Sequence, residues 1–296
     1  MEKKIEMLND IDCFLYKKEV DWSLLHEGFS IPVEFQKSVQ DHVGMVARGQ
    51  SKRIRFVIKT VLFDARVINQ PFDEKKYAGH PDVFQVRYAP SSLLALKLRE
   101  IFEKSDAVLK TLRHEAKKAE GRKQVRVPVG AREYLVLYAG ADEHEIVCDS
   151  ITSDDIAIVR LFVDSKDIRE EEFERAGEYD FKDLSARIET REQVVRIRRL
   201  DRSIGESLKR LYKYRCQICA ENFGKERGVD TAESHHIADF VKSLNNDSEN
   251  LLVVCPNHHT VIHKAQPVFD GRRLTFTYLN GFEEGLQLNI HLKSLR

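Results

Sequence analysis

The stretch Tyr214–Lys264, YRCQICAENFGKERGVDTAESHHIADFVKSLNNDSENLLVVCPNHHTVIHK, decides how the C-terminal part of this chain folds. It holds three of the five cysteines and five of the eleven histidines in a chain of 296 residues. Thiolate and imidazole groups are the usual ligands of zinc and other transition metals. Their concentration in about a sixth of the chain therefore predicts a metal-binding unit.

The cysteines form two short spacings that are typical of a closed zinc site. Cys216 and Cys219 are separated by two residues, and Cys255-Pro-Asn-His258 repeats this spacing with an imidazole as the fourth donor. Four such groups satisfy one tetrahedral Zn²⁺, with Zn–S distances of about 2.3 Å. We expect a structural Zn²⁺ here, because closed sites stabilise small folds that lack a large apolar core.

Four histidines are left over: His235, His236, His259 and His263. Residues four apart share one face of a helix, so His259 and His263 can present their imidazoles to one cation. Adjacent residues of a strand point to opposite faces, so only one of His235 and His236 can readily join that cation. The other is then available to take a proton from water, since a neutral imidazole is a suitable base near neutral pH.

The order of these segments resembles the HNH nuclease family. Its ββα-metal finger has a first strand carrying a histidine pair, a second strand ending at a cysteine, and a helix carrying the last ligands. The matching segments here are AESHHI, ENLLVVC and PNHHTVIHK. The resemblance covers about fifty residues, from Cys216 to Lys264.

The resemblance implies a role for each matching residue. It makes His235 a ligand of a catalytic metal and His236 the general base, while Asn250 holds the loop between the strands and helps to orient that base. His259 becomes the final motif histidine and His263 an additional ligand. The implied catalytic divalent metal is Mg²⁺, Mn²⁺, Ni²⁺ or Zn²⁺, of which Mg²⁺ suits an all-imidazole site least.

The N-terminal part shows an α+β pattern. Five segments with strand character alternate apolar and polar residues or are rich in β-branched residues: RIRFVIKTVLFDARVIN, DVFQVRY, QVRVPV, EYLVLYAG and HEIVCDSI. A helical segment, PSSLLALKLREIFEKSDAVLKTLRHEAKK, interrupts them, with Ser91 or Ser92 as its N-cap. Residues 1–28 have a helix-compatible pattern. The whole is compatible with a pseudobarrel of the kind that restriction-type nucleases carry ahead of an HNH domain, and a dimerisation or partner-binding domain fits the same residues.

These patterns predict three regions: a DNA-recognition or interaction domain over 1–155, an acidic-to-basic linker over 156–200, and an HNH nuclease domain over 201–296. The segment LDRSIGESLKRLYKYR predicts a short amphipathic helix that leads into Cys216. Beyond the metal ligands, Asp270-Gly271 and Asn280-Gly281 predict a small antiparallel tail.

The charge of the chain is informative in its distribution. The 48 basic and 48 acidic residues cancel, so the net charge does not indicate a polyanionic partner. Residues 185–227 nevertheless hold twelve basic and six acidic side chains, which serve either as a DNA-backbone surface or as a solvated face. The sequence lacks a long apolar run and an even set of cysteines, which favours a cytoplasmic protein without a membrane partner. Cys13 and Cys148 are expected to be small buried residues.

Together these features predict a metal-dependent endonuclease that hydrolyses phosphodiester bonds in double-stranded DNA, as in a restriction or defence system. Duplex cleavage by a site with one metal favours a homodimer with one site for each strand. RNA and branched junctions remain open as substrates. The competing hypothesis is a non-catalytic, zinc-stapled nucleic-acid-binding protein in which the four extra histidines have no chemical role.

Overall fold

A computed structural model of the chain describes residues 14–72, 81–118, 125–166, 188–245 and 247–292. The chain divides into two compact units, Met1–Ile156 and Ala157–Arg296. Within the described ranges, no helix has the length and apolar character needed to cross a membrane.

The N-terminal unit is built on a mixed sheet with helices, which confirms the α+β class. Its strands are β1 (Phe14–Glu19), β2 (Gly28–Ser30), β3 (Ser51–Ile58), β4 (Val61–Asn69), β5 (Phe84–Arg87), β6 (Tyr134–Ala139) and β7 (Glu145–Ile151). Its helices are α1 (Trp22–His26), α2 (Val33–Val43), α3 (Leu93–Ile101) and α4 (Glu103–Lys118), and α5 (Ser153–Lys166) begins at its end. Ser92 is the N-cap of α3, where its hydroxyl accepts from the Ala95 amide at 3.2 Å.

The seven strands that the described residues contribute to this sheet lie in the order β1-β6-β7-β3-β4-β5-β2. All neighbouring pairs are antiparallel except β3 and β7, which are parallel. On β3, Ile54 and Phe56 are buried on one face while Arg53 and Arg55 lie on the other. The alternating pattern of the sequence thus matches the first part of β3, whereas β1 and β6 have buried residues in succession and are covered on both faces. The pseudobarrel remains a prediction.

Two local predictions in this unit are wrong. Phe14–Glu19 is a strand and not part of a helix, because its first four residues are all buried and pair with β6 at an edge of the sheet. The described part of QVRVPV forms no strand, and its last residue begins a 3₁₀ turn over Val129–Ala131 instead. Pro128 lacks the amide hydrogen that a strand would donate at that position.

A buried acid beside the sheet accepts hydrogen bonds from the starts of two helices. Glu133 is only 2% exposed, directly before β6. Its carboxyl oxygens accept from the Ser105 hydroxyl at 2.7 Å and the Ser153 amide at 3.0 Å, and from the remaining amide and hydroxyl of the same two serines at 3.3 Å. Since Ser105 lies in the first turn of α4 and Ser153 begins α5, the acid satisfies donors at both helix starts.

The C-terminal unit consists of short elements. They are α6 (Ile188–Leu211), β8 (Glu233–His236), α7 (Phe240–Ser243), β9 (Leu251–Val254), α8 (Pro256–Ala265), β10 (Val268–Asp270), β11 (Thr275–Thr277) and β12 (Glu283–Gly285). Strands β8 and β9 pair antiparallel, and β10, β11 and β12 form a separate antiparallel sheet, as the two predicted turns require. A cluster of apolar and cysteine side chains, including Ile218, Leu252 and Phe276, forms the core around the cysteine ligands.

A buried polar network joins the end of α6 to the C-terminal segment. The Tyr212 hydroxyl donates to His291 Nδ1 at 2.7 Å and accepts from Gln217 Nε2 at 3.1 Å. His291 Nε2 then faces the carbonyl oxygens of Ser248 and Leu251, each at 3.0 Å. Burial lowers the pKa of His291, which keeps the ring neutral and suited to accept on one nitrogen and donate on the other.

The predicted short helix before Cys216 is longer than the sequence indicates. Helix α6 has 24 residues and begins at Ile188, inside the region predicted as linker. Its buried positions Ile197, Leu200, Ile204 and Leu208 recur at helical spacing. Much of the predicted linker, and Cys13, lie outside the described residues.

Replacing Glu133 by Gln tests the buried acid. We expect Glu133→Gln to lower the free energy of unfolding by about 1.5–3 kcal/mol, the usual contribution of hydrogen bonds to a charged group, because one acceptor oxygen becomes a donor facing donors. Urea unfolding followed by circular dichroism measures this. Glu143→Gln, whose side chain is 66% exposed, is the matched control and should leave the midpoint unchanged. Equal midpoints for both variants would contradict the role of Glu133.

Candidate metal centres and the histidine pair

Cys216, Cys219, Cys255 and His258 form one group that can hold a metal ion. Their ligand atoms all lie within 4.8 Å of one another. His258 Nδ1 is 3.5 Å from Cys216 Sγ and 3.1 Å from Cys255 Sγ. Three sulfurs and one imidazole nitrogen at this spacing fit a tetrahedral Zn²⁺ that has no open position.

The backbone brings these four residues together from two places in the chain. Cys216 and Cys219 lie in the turn that follows α6, Cys255 is the N-cap of α8, and His258 lies in the first turn of that helix. Between the two turn cysteines, Gln217 is fully buried. Its backbone amide donates to the Val253 carbonyl and its side-chain oxygen accepts from the Val253 amide, both at 2.8 Å. The turn is thus tied to β9 at the strand that leads into Cys255.

Burial of the thiols has an electrostatic consequence. It raises the pKa of the Cys216 thiol to about 12, since a thiolate without a nearby cation is costly in an apolar surrounding. A divalent cation offsets that cost and holds the ligands as thiolates. His258 directs its other nitrogen, Nε2, to Glu284 Oε1 at 3.2 Å, and the Tyr278 hydroxyl donates to the second oxygen of that carboxyl at 3.1 Å. Such a carboxylate fixes the orientation of a metal-binding imidazole.

A second group consists of His235, His259 and His263, whose ligand atoms also lie within 4.8 Å of one another. The Nε2 atoms of His259 and His263 are 3.2 Å apart on successive turns of α8. The centroid of the His235 ring, on β8, is 4.8 Å from the centroid of the His263 ring and 5.4 Å from that of the His259 ring. Three imidazoles that converge in this way fit a borderline-soft divalent cation and leave room for further ligands.

Glu233 supports this second group. Its Oε2 atom lies 2.7 Å from His259 Nδ1, on the same face of β8 as His235. The contact leaves Nε2 of His259 as the nitrogen that faces the other two imidazoles. Asp239 occupies the N-cap position of the short helix α7, where its side chain pairs with Lys242 and makes no capping hydrogen bond.

His236 points away from this group. Its Nε2 lies 2.9 Å from Asp201 Oδ1 of α6, and its ring packs on Phe240. Both partners of this contact are buried, with side chains 3% and 7% exposed. The two adjacent histidines of β8 therefore have different surroundings, one among imidazoles and one beside a carboxyl group.

A glycine permits the approach of α6 to β8. A Cβ atom on Gly205 would meet the Ser234 hydroxyl at 2.7 Å and its Cβ at 2.9 Å, which is too close for any other residue without movement. Gly205 follows Asp201 by four residues, so both lie on one face of α6. Ser234 and His236 likewise share one face of β8. The missing side chain thus lets Asp201 reach His236.

Asn250 lies at the start of β9 and joins the two ends of the loop after β8. Its Nδ2 donates to the carbonyls of Ala238 at 2.9 Å and Asn245 at 2.8 Å, and its Oδ1 accepts from the Ala238 amide at 2.8 Å. The Asn250 carbonyl also accepts from the Ile237 amide at 2.8 Å. These bonds fix the backbone directly after His236.

Sequence reasoning missed two carboxyl groups around the histidines, Asp201 and Glu284, and favoured a solvated or loop-capping role for Glu233 over a contact with a metal ligand. Each contacts a histidine 26 to 35 residues away along the chain. The glycine inside the amphipathic pattern of α6 was the available signal for Asp201, since an interior helical glycine often marks a close approach.

Comparisons with known proteins assign no family to the chain. No family model and no solved structure matches it. A segment of 72 residues, 24% of the chain, is 29% identical to Anaredoxin of Nostoc sp. (strain PCC 7120 / SAG 25.82 / UTEX 2576) and spans 87% of that protein.

Replacing Cys219 by Ala tests the four-ligand group. We expect the purified variant to hold about one metal ion fewer per chain and to melt at a lower temperature, because the metal contributes to the folding of short elements. Inductively coupled plasma mass spectrometry measures the metal. Cys148→Ala removes a buried thiol from the N-terminal unit and is the matched control. Equal metal content in the two variants would exclude the four-ligand site.

Proposed function

We propose that this chain is a metal-dependent endonuclease of the HNH type that hydrolyses phosphodiester bonds in double-stranded DNA. One observation carries the proposal: His235 joins His259 and His263 in a group that can hold a cation, while the neighbouring His236 turns to the opposite side of the strand. A purely structural zinc protein has no need for this division between two adjacent histidines.

The residues of the chain divide the work as follows. His235, His259 and His263 would hold a catalytic divalent cation, and Glu233 orients His259. When bound, the cation supplies positive charge that stabilises the phosphate oxygens of the scissile group. Asn250 holds the loop that follows the base.

His236 acts as the general base, and Asp201 sets its tautomer. With Nε2 beside the Asp201 carboxyl group, the proton of the neutral ring lies on Nε2 and the lone pair on Nδ1. Nδ1, which is buried in this structure, is then the atom that would take the proton from the attacking water once the substrate is bound. Asp201 touches neither substrate nor water in this arrangement and is a positioning residue.

Double-stranded DNA is the proposed substrate because basic side chains of the chain can meet its phosphates. An open cavity of about 780 Å³ beside the cysteine turn is lined by four basic residues, Lys213, Arg215, Lys225 and Arg227, against two acids, Glu221 and Glu226. The end of α6 contributes less than its sequence suggests, because Lys209 and Arg210 both pair with Glu206. The N-terminal unit is the place for target recognition in this proposal, as in a restriction or defence enzyme, with a homodimer supplying one site for each strand.

The burial of His236 favours a second candidate function. A side chain that is 3% exposed meets little water, as in a non-catalytic zinc-stapled protein that binds nucleic acid. Activity measurements separate the two, because only the nuclease hydrolyses a phosphodiester bond.

His236→Ala tests the general base. We expect the parent protein to nick supercoiled plasmid with Mn²⁺, Ni²⁺ or Mg²⁺, and the variant to lose about 100-fold or more of the rate, the usual contribution of general base catalysis. Metal content should stay the same, since His236 holds no cation.

The matched control is His114→Ala, which removes an exposed imidazole from α4. Equal nicking rates for the parent and His236→Ala would contradict the assignment of His236 as the general base. If neither protein nicks modified or unmodified DNA with any of these metals, the non-catalytic alternative stands.

Asp201→Asn tests the positioning role. An amide can donate to Nε2 and so stabilise the tautomer that carries the proton on Nδ1, where no proton can be accepted. We expect kcat to fall about 10- to 100-fold with little change in KM or metal content, and Asp201→Glu to restore part of the rate.

Asp230→Asn, at an exposed position of the same unit, should match the parent. A change in KM or in melting temperature without a change in kcat would show that Asp201 serves only the stability of the fold.

A further inference from the structure

Three arginines of the N-terminal unit lie side by side on one face of the sheet. Arg53 of β3 is directly opposite Arg66 of β4, and Arg66 is directly opposite Arg87 of β5. Directly opposite residues of antiparallel strands project to the same face. These three residues, the arginine row, therefore place three guanidinium groups on three adjacent strands.

The arginine row concentrates positive charge with few counterions. Like charges directly opposite each other are destabilising, and arginine cannot lose its proton to relieve the repulsion. Arg87 lies 3.8 Å from Glu27, but both side chains are about half exposed, so this pair contributes little. Within the residues that the structure describes, no carboxylate forms an ion pair with Arg53 or Arg66. An anionic ligand is the natural way to offset this charge.

The surroundings of the row form a binding surface. The three arginines line an open cavity of about 620 Å³, with Asp64 as the only acid among its lining residues and Tyr88 and Ser92 at its edge. Ser92 caps the N-terminus of α3, where the helix dipole adds partial positive charge. On the opposite face, Ile54, Val67 and Val86 are fully buried, so the row is mounted on a packed sheet.

We propose that the arginine row binds the phosphates of double-stranded DNA. Neighbouring strands lie about 4.7–4.9 Å apart, so the row extends over roughly 10 Å and can meet more than one phosphate. The planar fork of arginine matches two oxygens of a phosphate. The choice of DNA as the source of the phosphates rests on the proposed function, whereas the binding itself needs no metal and no hydrolysis.

The test measures binding without cleavage. Full-length His236→Ala, with its tightly bound metal and no added divalent cation, is titrated into fluorescent duplex DNA of several sequences at several salt concentrations. We expect Arg66→Gln to weaken binding equally for all sequences and to reduce the slope of log K against log salt by about 1. The triple Gln variant of the row should reduce it by about 3. Arg66→Lys should keep the slope but lose part of the affinity, since it retains charge without the fork.

Arg55→Gln is the matched control. Arg55 lies on β3, like Arg53, and on the same face of the sheet as the arginine row. Its guanidinium already pairs with Asp142 and Glu145, so its removal should change the slope less. Melting temperatures of the Gln variants of the arginine row should equal or exceed that of the parent, because the removed groups repel one another. Unchanged affinity and slope in the triple variant would overturn the proposal. So would arginine-dependent binding of polyglutamate as strong as that of DNA, or displacement of DNA by equimolar inorganic phosphate.

The two proposals fail separately. Plasmid nicking by the parent protein, measured beside the binding titration, reports the nuclease alone. Normal row-dependent binding with no nicking leaves the arginine row in place and removes the nuclease. Nicking together with DNA binding that does not depend on the arginine row supports the nuclease and removes the proposed role of the row.

Discussion

The alternation of side chains along the four residues of β8 is the constraint on which the rest of the site depends. Glu233 and His235 face α8, where they meet His259 and His263, while Ser234 and His236 face α6, where they meet Gly205 and Asp201. Because successive residues of a strand point to opposite faces, two adjacent histidines are forced into different environments. A shift of the register by one residue would exchange them and destroy both groups. The backbone of β8, and not a property of the imidazole rings, therefore decides which histidine meets the other imidazoles and which one meets Asp201.

That register is held by contacts that the short strands could not provide alone. Strands β8 and β9 have four residues each, and an isolated hairpin of this size is marginal in water. The cysteine turn is fixed to β9 through Gln217, and the metal group joins that turn to the first residues of α8. Helix α8 then carries His259 and His263 at a defined distance from β8. The first metal group thus positions the second, although the two share no ligand.

The sequence predicts the close pairs within the two groups of candidate ligands, because the spacing within each pair is local. The two-residue gaps of the cysteine turns and the four-residue gap of His259 and His263 depend only on turn and helix geometry. The same reasoning cannot find Asp201 or Glu284, since their distance from the histidines is set by tertiary packing. It also assigns Phe14–Glu19 to a helix, because an edge strand with four buried residues in succession has no alternating pattern. The arginine row is invisible for a related reason: three arginines separated by 13 and 21 residues become neighbours only through the pairing of β3, β4 and β5.

The pairing of β3, β4 and β5 changes what the net charge of the chain implies about its partners. Equal numbers of acidic and basic residues give no reason to expect a polyanionic partner. A phosphate backbone, however, interacts over a distance set by salt screening, about 8–10 Å at physiological ionic strength. Among the residues that line the cavity at the arginine row, three are arginines and one, Asp64, is an acid; Glu27 pairs with Arg87 at 3.8 Å, and Arg55 on the same face is already paired. Distant acids elsewhere on the chain are screened and cannot offset the row. Local pairing, and not the sum over the chain, therefore decides where a neutral protein can bind a polyanion.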